Sequence, residues 1–399
     1  MKSLSLHTFL LTSAASLAFP FVSQAEDALL GDWLGAKTKA EEHGIEMHSI
    51  LSIDSVSNVQ GGLREDETIL GNYDFTVSLD TEKAGLWDNG TFFTYVLGNF
   101  NTDGVPTEFV GDLQASDNIE AAESIKLYEA WYEHSFSDDA FGILFGLHDY
   151  NSEFDALEYA GGLINSSFGI SPDISQVGPS IFSTTSVAAR VRYSFLENGY
   201  VLAAVYDGVP GNPNNPRGTH IKFSSEDGIF YATEIGVLGE ESDYYKLGLG
   251  SWYHTAEFED FLGNMRDENG GVYLIGEKKL FSEVDVSQGL GMFAQLGFAQ
   301  ESRNAVDSYV GIGLQYTGLI EDRDEDTFSI GVARAQISGE LQQQMQEVES
   351  HETAIEANYR IAFANYFALT PDIQWIINPG ATKGVKDALV LGVRAEIEM

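Results

Sequence analysis

Residues Ala388–Met399 read ALVLGVRAEIEM, and they alternate. Leu389, Leu391, Val393, Ala395, Ile397 and Met399 fall on one face of an extended chain; Ala388, Val390, Gly392, Arg394, Glu396 and Glu398 fall on the other. A terminal strand with two such different faces needs a neighbour to pair with. In a closed barrel it is the closing strand. Its partner is then the first strand, near Glu46–Val56, and its apolar face can look at lipid.

The same period of two recurs upstream. In Gly71–Asp80, Tyr73, Phe75, Val77 and Leu79 oppose Asn72, Asp74, Thr76, Ser78 and Asp80. Phe141–Leu147, Val187–Phe195, Tyr245–Tyr253, Val310–Tyr316, Phe328–Val332, Thr353–Phe363 and Phe367–Ile377 repeat it. Alternation alone fits a soluble barrel as well as a membrane one. The nature of the two faces separates them. One face carries charges such as Asp74, Arg190, Arg192, Glu356, Arg360 and Arg394, and the other carries aromatics. A polar inside with an apolar outside is the membrane arrangement. The reading is all-β: a closed antiparallel transmembrane β-barrel. Roughly 374 residues after a leader supply about sixteen strands of ten residues each. Asp88-Asn89-Gly90, Glu197-Asn198-Gly199, Glu226-Asp227-Gly228 and Glu268-Asn269-Gly270 read as hairpin turns.

The start of the chain reads as a secretory leader over residues 1–25. Lys2 precedes a mostly apolar stretch, Leu4 to Val22, and Ser23-Gln24-Ala25 offers small residues for cleavage before Glu26. Beyond it no run of about 18 apolar residues occurs, so no helix is predicted to span a membrane. Cysteine is absent, so no disulfide supports the fold. Removal of Lys2, the leader's only charge, takes the net charge from −40 to −41. That excludes nucleic acid as a partner and disfavours a general anion pore.

Two segments break the strand pattern. Residues 26–44 are predicted helical: Leu29, Leu30, Trp33, Leu34 and Lys37 share a face, and Gly44 stops the run. Residues 152–186 alternate little, yet Phe154, Tyr159, Leu163, Ile164, Phe168, Ile170, Ile181 and Phe182 make them too apolar for a disordered loop. This loop is predicted to fold into the barrel and constrict it.

Several long strings stand out: GDWLGAKTKAEEHGI (Gly31–Ile45), GNYDFTVSLDTEK (Gly71–Lys83), LYEAWYEHSF (Leu127–Phe136), NSSFGISPDISQVGPSIF (Asn165–Phe182) and YDGVPGNPNNPRGTHIKF (Tyr206–Phe223). In these the sequence resembles the carbohydrate-selective outer-membrane porins of the OprB type. ETAIEANYR, PDIQWIINPG and DALVLGVR near the end extend it over nearly the whole chain after the leader. It implies a sixteen-stranded barrel in a Gram-negative outer membrane that passes monosaccharides and similar small sugars into the periplasm. Two departures stand out. Met399 stands where such barrels usually end in Phe or Trp, and the acidic balance is unusual.

Candidate pore-lining residues follow from the polar phase. Arg190 and Arg192, two apart, both face the lumen and would donate to sugar hydroxyls. Arg360 and Arg394 share that phase. Carboxylates would oppose them, Asp173 on the loop among these. The alternative for these arginines is a set of salt bridges that staple strands. Glu129, Trp131 and Glu133 share a face, where a ring between two acids suits a pyranose; Tyr128, Ala130 and Tyr132 would then face lipid.

No metal or cofactor is predicted. The acids of Glu321–Asp326 lack calcium-loop spacing, and His134, His148, His220, His254 and His351 lack metal spacing. The readings left open are a cation-favouring general porin and an exported β-rich enzyme acting on polysaccharide. The partners expected are small sugars and outer-membrane lipid, and the protein would be a homotrimer or a monomer.

Overall fold

The structure is a computed structural model that describes residues 29–399 apart from 33, 34, 138, 241, 242 and 284. The expected leader, Trp33 and Leu34 lie outside the described residues. Sixteen antiparallel strands close into one barrel. The first nine are β1 (Ile45–Gly62), β2 (Asp66–Asp80), β3 (Gly90–Asn101), β4 (Ser124–Phe136), β5 (Phe141–His148), β6 (Ser186–Phe195), β7 (Gly199–Asp207), β8 (Ile229–Leu238) and β9 (Tyr245–His254). A small hairpin outside the wall follows, β10 (Phe258–Glu259) and β11 (Met265–Arg266). The wall resumes with β12 (Asn269–Ser282), β13 (Gly289–Ala299), β14 (Val306–Thr317), β15 (Thr327–Ile337), β16 (His351–Ala364), β17 (Phe367–Ile377) and β18 (Lys386–Glu398).

Closure joins β18 to β1, with Ile50 opposite Glu398, Asp54 opposite Arg394 and Ser57 opposite Leu391. The phase read from the terminal segment holds. Ala388, Val390, Arg394, Glu396 and Glu398 are buried inside, while Leu391 and Val393 are exposed on the outer face. No strand is left with a free edge over its whole length, which is how a membrane barrel satisfies its backbone.

The helical segment is shorter than its sequence pattern suggests. Helix α1 covers only Ala36–Glu41, and Leu29 and Leu30 are exposed in a turn before it. Of the four predicted turns, Glu197-Asn198-Gly199 closes a tight hairpin between β6 and β7, and Asp88-Asn89-Gly90 ends the β2–β3 connection. The other two terminate long connections instead, between neighbouring strands β7 and β8 and, past the β10–β11 hairpin, β9 and β12.

The barrel is too wide for wall side chains to fill. Two connections fold inside it. The β5–β6 connection runs inward and carries α3 (Ser166–Gly169) and α4 (Pro172–Ser175). Tyr150 stacks on Phe154 with ring centroids 5.1 Å apart and meets Phe230 of β8 edge-on. Phe168 meets Phe293 of β13 the same way. Together with Trp252, Tyr273 and Tyr309 these rings make a core inside the barrel. Gly331 of β15 shapes its wall: a Cβ there would lie 2.6 Å from Leu163 and 2.7 Å from the Phe168 ring.

The second inward segment is the β3–β4 connection, which the alternation pattern does not reveal. Its helix α2 (Thr107–Val110) buries Phe109 and Val110 in the same core as Val56 of β1 and Ala388 and Val390 of β18. The two segments bond to each other: Asn118 N–H donates to Ile164 O at 2.9 Å, and Ser166 N–H to Ala115 O at 3.0 Å.

Buried loop backbone needs partners, and wall carboxylates provide them. Glu356 of β16 accepts from the N–H of Ile164 at 2.6 Å and of Asn165 at 2.9 Å. Glu352 accepts from Leu113 and Gln114 N–H at 2.8 and 3.0 Å. Glu277 of β12 accepts from Glu158 and Tyr159 N–H, Glu234 of β8 from Asp155 N–H, and Glu129 of β4 from Asp149 N–H.

Two outcomes are expected. Leu391→Arg, on the lipid face near mid-strand, should lower stability by about 2–4 kcal/mol in reversible unfolding from vesicles. Gly392→Ser, one residue on and facing inward with no atom nearer than 3.6 Å to its Cβ position, should cost well under about 1 kcal/mol; equal costs would contradict the phase. Glu356→Ala should leave two buried N–H groups unpaired, at about 1–3 kcal/mol each. Faster proteolysis within 156–165 and noisier single-channel current are the readouts.

Candidate functional site: the inner wall beneath the folded loop

Strand β4 sets up the site with a β-bulge. Tyr95 of β3 pairs with Glu129 and Val96 with Leu127, which leaves Tyr128 without a partner in the ladder. An extra residue turns two successive side chains to one side. Tyr128 and Glu129 therefore both point inward, and Lys126 and Trp131 continue that face. This corrects the expectation that Tyr128 faces lipid; Tyr132 does lie on the outer face, where its hydroxyl accepts from Trp87 Nε1. The bulge has a use. Tyr128 donates to Asp149 at 2.5 Å, and its carbonyl accepts from the Thr185 hydroxyl, so it holds both ends of the inward β5–β6 segment.

Trp131 lies against Phe93, its direct cross-strand neighbour, with ring centroids 4.8 Å apart and planes 22° apart. Both rings are only half-buried. Trp131 Nε1 donates to Glu129 at 3.1 Å, which fixes the indole's tilt.

Glu133, the next inward residue, meets the arginines of β6 across β5. Arg190 Nη1 donates to Glu133 at 2.9 Å, and its Nη2 donates to Glu153 of the loop at 2.5 Å. Its side chain is 2% exposed. Arg190 is thus a staple between wall and loop, and not an open donor. Arg192 is different. It stands 3.5 Å from Glu133 and remains 21% exposed. Gly142 of β5 makes the room: a Cβ there would lie 2.4 Å from Glu133 Oε1.

The remaining arginines sit on the far side of the interior. Arg394 forks onto Asp54 of β1 at 2.6–3.0 Å and donates to Asn118 at 2.7 Å, with Asp117 at 3.5 Å. Arg360 pairs with Glu396 at 3.1 Å. These two fit the salt-bridge alternative. Asp173 lies fully buried on α4, on the wall side of the loop. A Cβ on Gly297 of β13 would come within 2.1 Å of its carboxyl oxygen, so it packs between loop and wall, away from the lumen.

The structure therefore brings Glu129, Trp131, Glu133, Arg190 and Arg192 together on β4–β6 and leaves Arg360, Arg394 and Asp173 elsewhere. Sequence reading missed Phe93, because β3 is apolar on both faces, with Phe93, Tyr95 and Leu97 inside and Phe92 and Phe100 outside, and so shows no polar phase. It also missed Glu153 and the seat of Asp149. Nearer the short-turn end the inward residues Glu46, His48, Thr76, Ser78 and Thr91 stay accessible, so the interior opens there.

The family model described as carbohydrate-selective porin, OprB family, matches residues 64–399. Porin B of Pseudomonas aeruginosa is 24% identical over 440 aligned positions, spanning 97% of this chain and 94% of its own. The high-pH structure of Pseudomonas putida OprB is similar at a TM-score of 0.84 and 18% identity, covering 96% of this chain and all of that one. The outer membrane channel DcaP of Acinetobacter baumannii shares the fold at a TM-score of 0.57 and 9% identity, with 89% and 97% of the two chains covered. With its closed barrel and inward loops, the chain belongs to the OprB family of carbohydrate-selective porins, the sugar-diffusion channels of the Gram-negative outer membrane.

Proposed function

We propose that the sugar path runs along the β3–β6 side of the interior, with Trp131 as the stacking surface and Arg192 and Glu133 as the polar contacts. The stacked, half-buried Trp131–Phe93 pair beside the Arg192–Glu133 pair is the observation that carries this reading. A pyranose has an apolar face and a rim of hydroxyls. An indole receives the first, and a guanidinium with a carboxylate receives the second by donating and accepting. Neither contact is strong, which suits permeation: a site must bind well enough to admit a sugar and weakly enough to release it.

Arg190 acts one step back. It binds both Glu133 and Glu153 and fixes the loop edge that narrows the path. Glu129 serves through the indole that it holds and through Asp149 N–H. Arg360 and Arg394 support the wall, and Asp173 supports the loop. The role is passive diffusion, without catalysis. Glu46 and Asp80 at the short-turn mouth flank Lys83 at 3.8 and 3.9 Å, and the one negative charge left over favours cations in whatever ion current accompanies the sugar.

The two kinds of residue are separable. Trp131→Ala should remove stacking worth about 0.5–1.5 kcal/mol and raise the glucose concentration for half-block of bilayer current roughly two- to tenfold. Arg192→Ala should raise conductance and weaken the block while the fold stays intact. If glucose block and liposome-swelling rates stay unchanged in both variants, the path lies elsewhere. Arg190→Ala should instead strip Glu153 of its only arginine and leave Glu133 with the longer Arg192 contact, at a cost of about 3–5 kcal/mol of stability, seen as a lower melting temperature. Sugar hydrolysis by the purified protein would contradict the passive reading.

A further inference from the structure

Among the described residues, eight of the ten arginines lie within 4.0 Å of a carboxylate. That is unsurprising in a chain with 61 acids and 21 Lys and Arg. Arg303 is an exception that donates to Glu268 O and the Ser302 hydroxyl. The other is Arg334, whose contact is Gln336 Oε1 at 3.5 Å. Arg334 is also the one arginine that a barrel strand turns outward: on β15, Ala333, Ala335 and Ile337 are buried inside, and Val332 and Arg334 are exposed outside.

Its companions are polar too. Arg334 pairs across the ladder with Thr353, and Gln336 with His351. Thr353 is 8% exposed, and its hydroxyl has no hydrogen-bond partner. Gln336 is held by donating to Ser350 O at 2.6 Å, so its Oε1 faces the guanidinium. His351 contacts the Ser350 hydroxyl through Nδ1, which leaves Nε2 for a ligand. Around this patch the outer wall is apolar. The ladder row that contains Arg334 runs Leu296, Val310, Arg334, Thr353, Ile377. The next row toward the short-turn end carries Trp375, which is 54% exposed, and the next toward the long-loop end carries Phe298, also 54% exposed. Such aromatics mark the lipid–water boundary of a barrel. A cation at that depth extends its head to the interface, where it meets lipid headgroups.

We propose that Arg334, with Gln336, His351 and Thr353, forms a docking site on the outside of the barrel for the phosphate of an anionic outer-leaflet lipid. Arg334 supplies a planar fork that fits a phosphate by two parallel donors, His351 Nε2 and the Thr353 hydroxyl add donors, and Gln336 aims the fork. The lipid's acyl chains would lie along Val332, Ile355 and Trp375 below it. Because the patch lies outside the pore, occupancy should leave sugar passage unchanged.

The test is binding of bisphosphorylated lipid A to the purified protein in a neutral detergent, read by native mass spectrometry. The wild type should retain the lipid, and Arg334→Ala should weaken retention about tenfold, in line with loss of a charge-assisted pair. Arg334→Lys should recover only part, since it restores charge without the fork. Dephosphorylated lipid A should bind wild type and Arg334→Ala alike. Both variants should keep wild-type glucose flux, which shows that they fold. Equal retention of bisphosphorylated lipid A by wild type and Arg334→Ala would overturn the proposal. So would complete displacement of the lipid by millimolar inorganic phosphate, which would make a soluble anion the ligand.

Discussion

Backbone N–H groups that enter the barrel interior have to find acceptors there, and this requirement organises the protein. A sixteen-stranded wall encloses more volume than its side chains can occupy, so the chain fills it with its own connections. Buried main chain is costly unless paired. The wall answers with Glu129, Glu234, Glu277, Glu352 and Glu356, inward-facing acids on four different strands, each accepting loop N–H groups. Acids serve better than amides here, because two oxygens can receive two successive N–H groups. Part of the chain's large negative charge is thus internal scaffolding rather than solvated surface.

The interior divides accordingly. On the β8–β15 side, aromatic rings of wall and loop interlock into a packed core. On the β3–β6 side, the bulge at Tyr128 keeps the loop's two ends close to β4, and a strip of wall with Trp131, Phe93 and Arg192 stays accessible.

Much of this was legible in the sequence. Alternation over Ala388–Met399 gave the closing strand, its faces and its partner, because a period of two leaves only two choices of phase and charge selects one. The inward loop was legible from apolar residues without a period. The β3–β4 insertion was not, because Phe109 and Val110 are a short apolar pair in a polar connection, and only their seat against Val56 and Val390 reveals them. The bulge was not legible either: Leu127–Phe136 alternates on both sides of it, and one extra residue leaves no mark in composition. The arginines were placed on the correct face, but their ion pairs depend on Glu153 and Asn118, which reach them from segments with no period to read. Asp173 was misjudged for the same reason, since a loop residue's direction is set by the loop's course.

Arg394 binds Asp54 and Asn118, residues that lie 340 and 276 positions away in the chain. It therefore joins three events in one side chain: the last strand meets the first, the cylinder shuts, and the β3–β4 insertion is locked down. The seam of the cylinder and the seat of the insertion are thus a single joint, and whatever loosens one loosens the other.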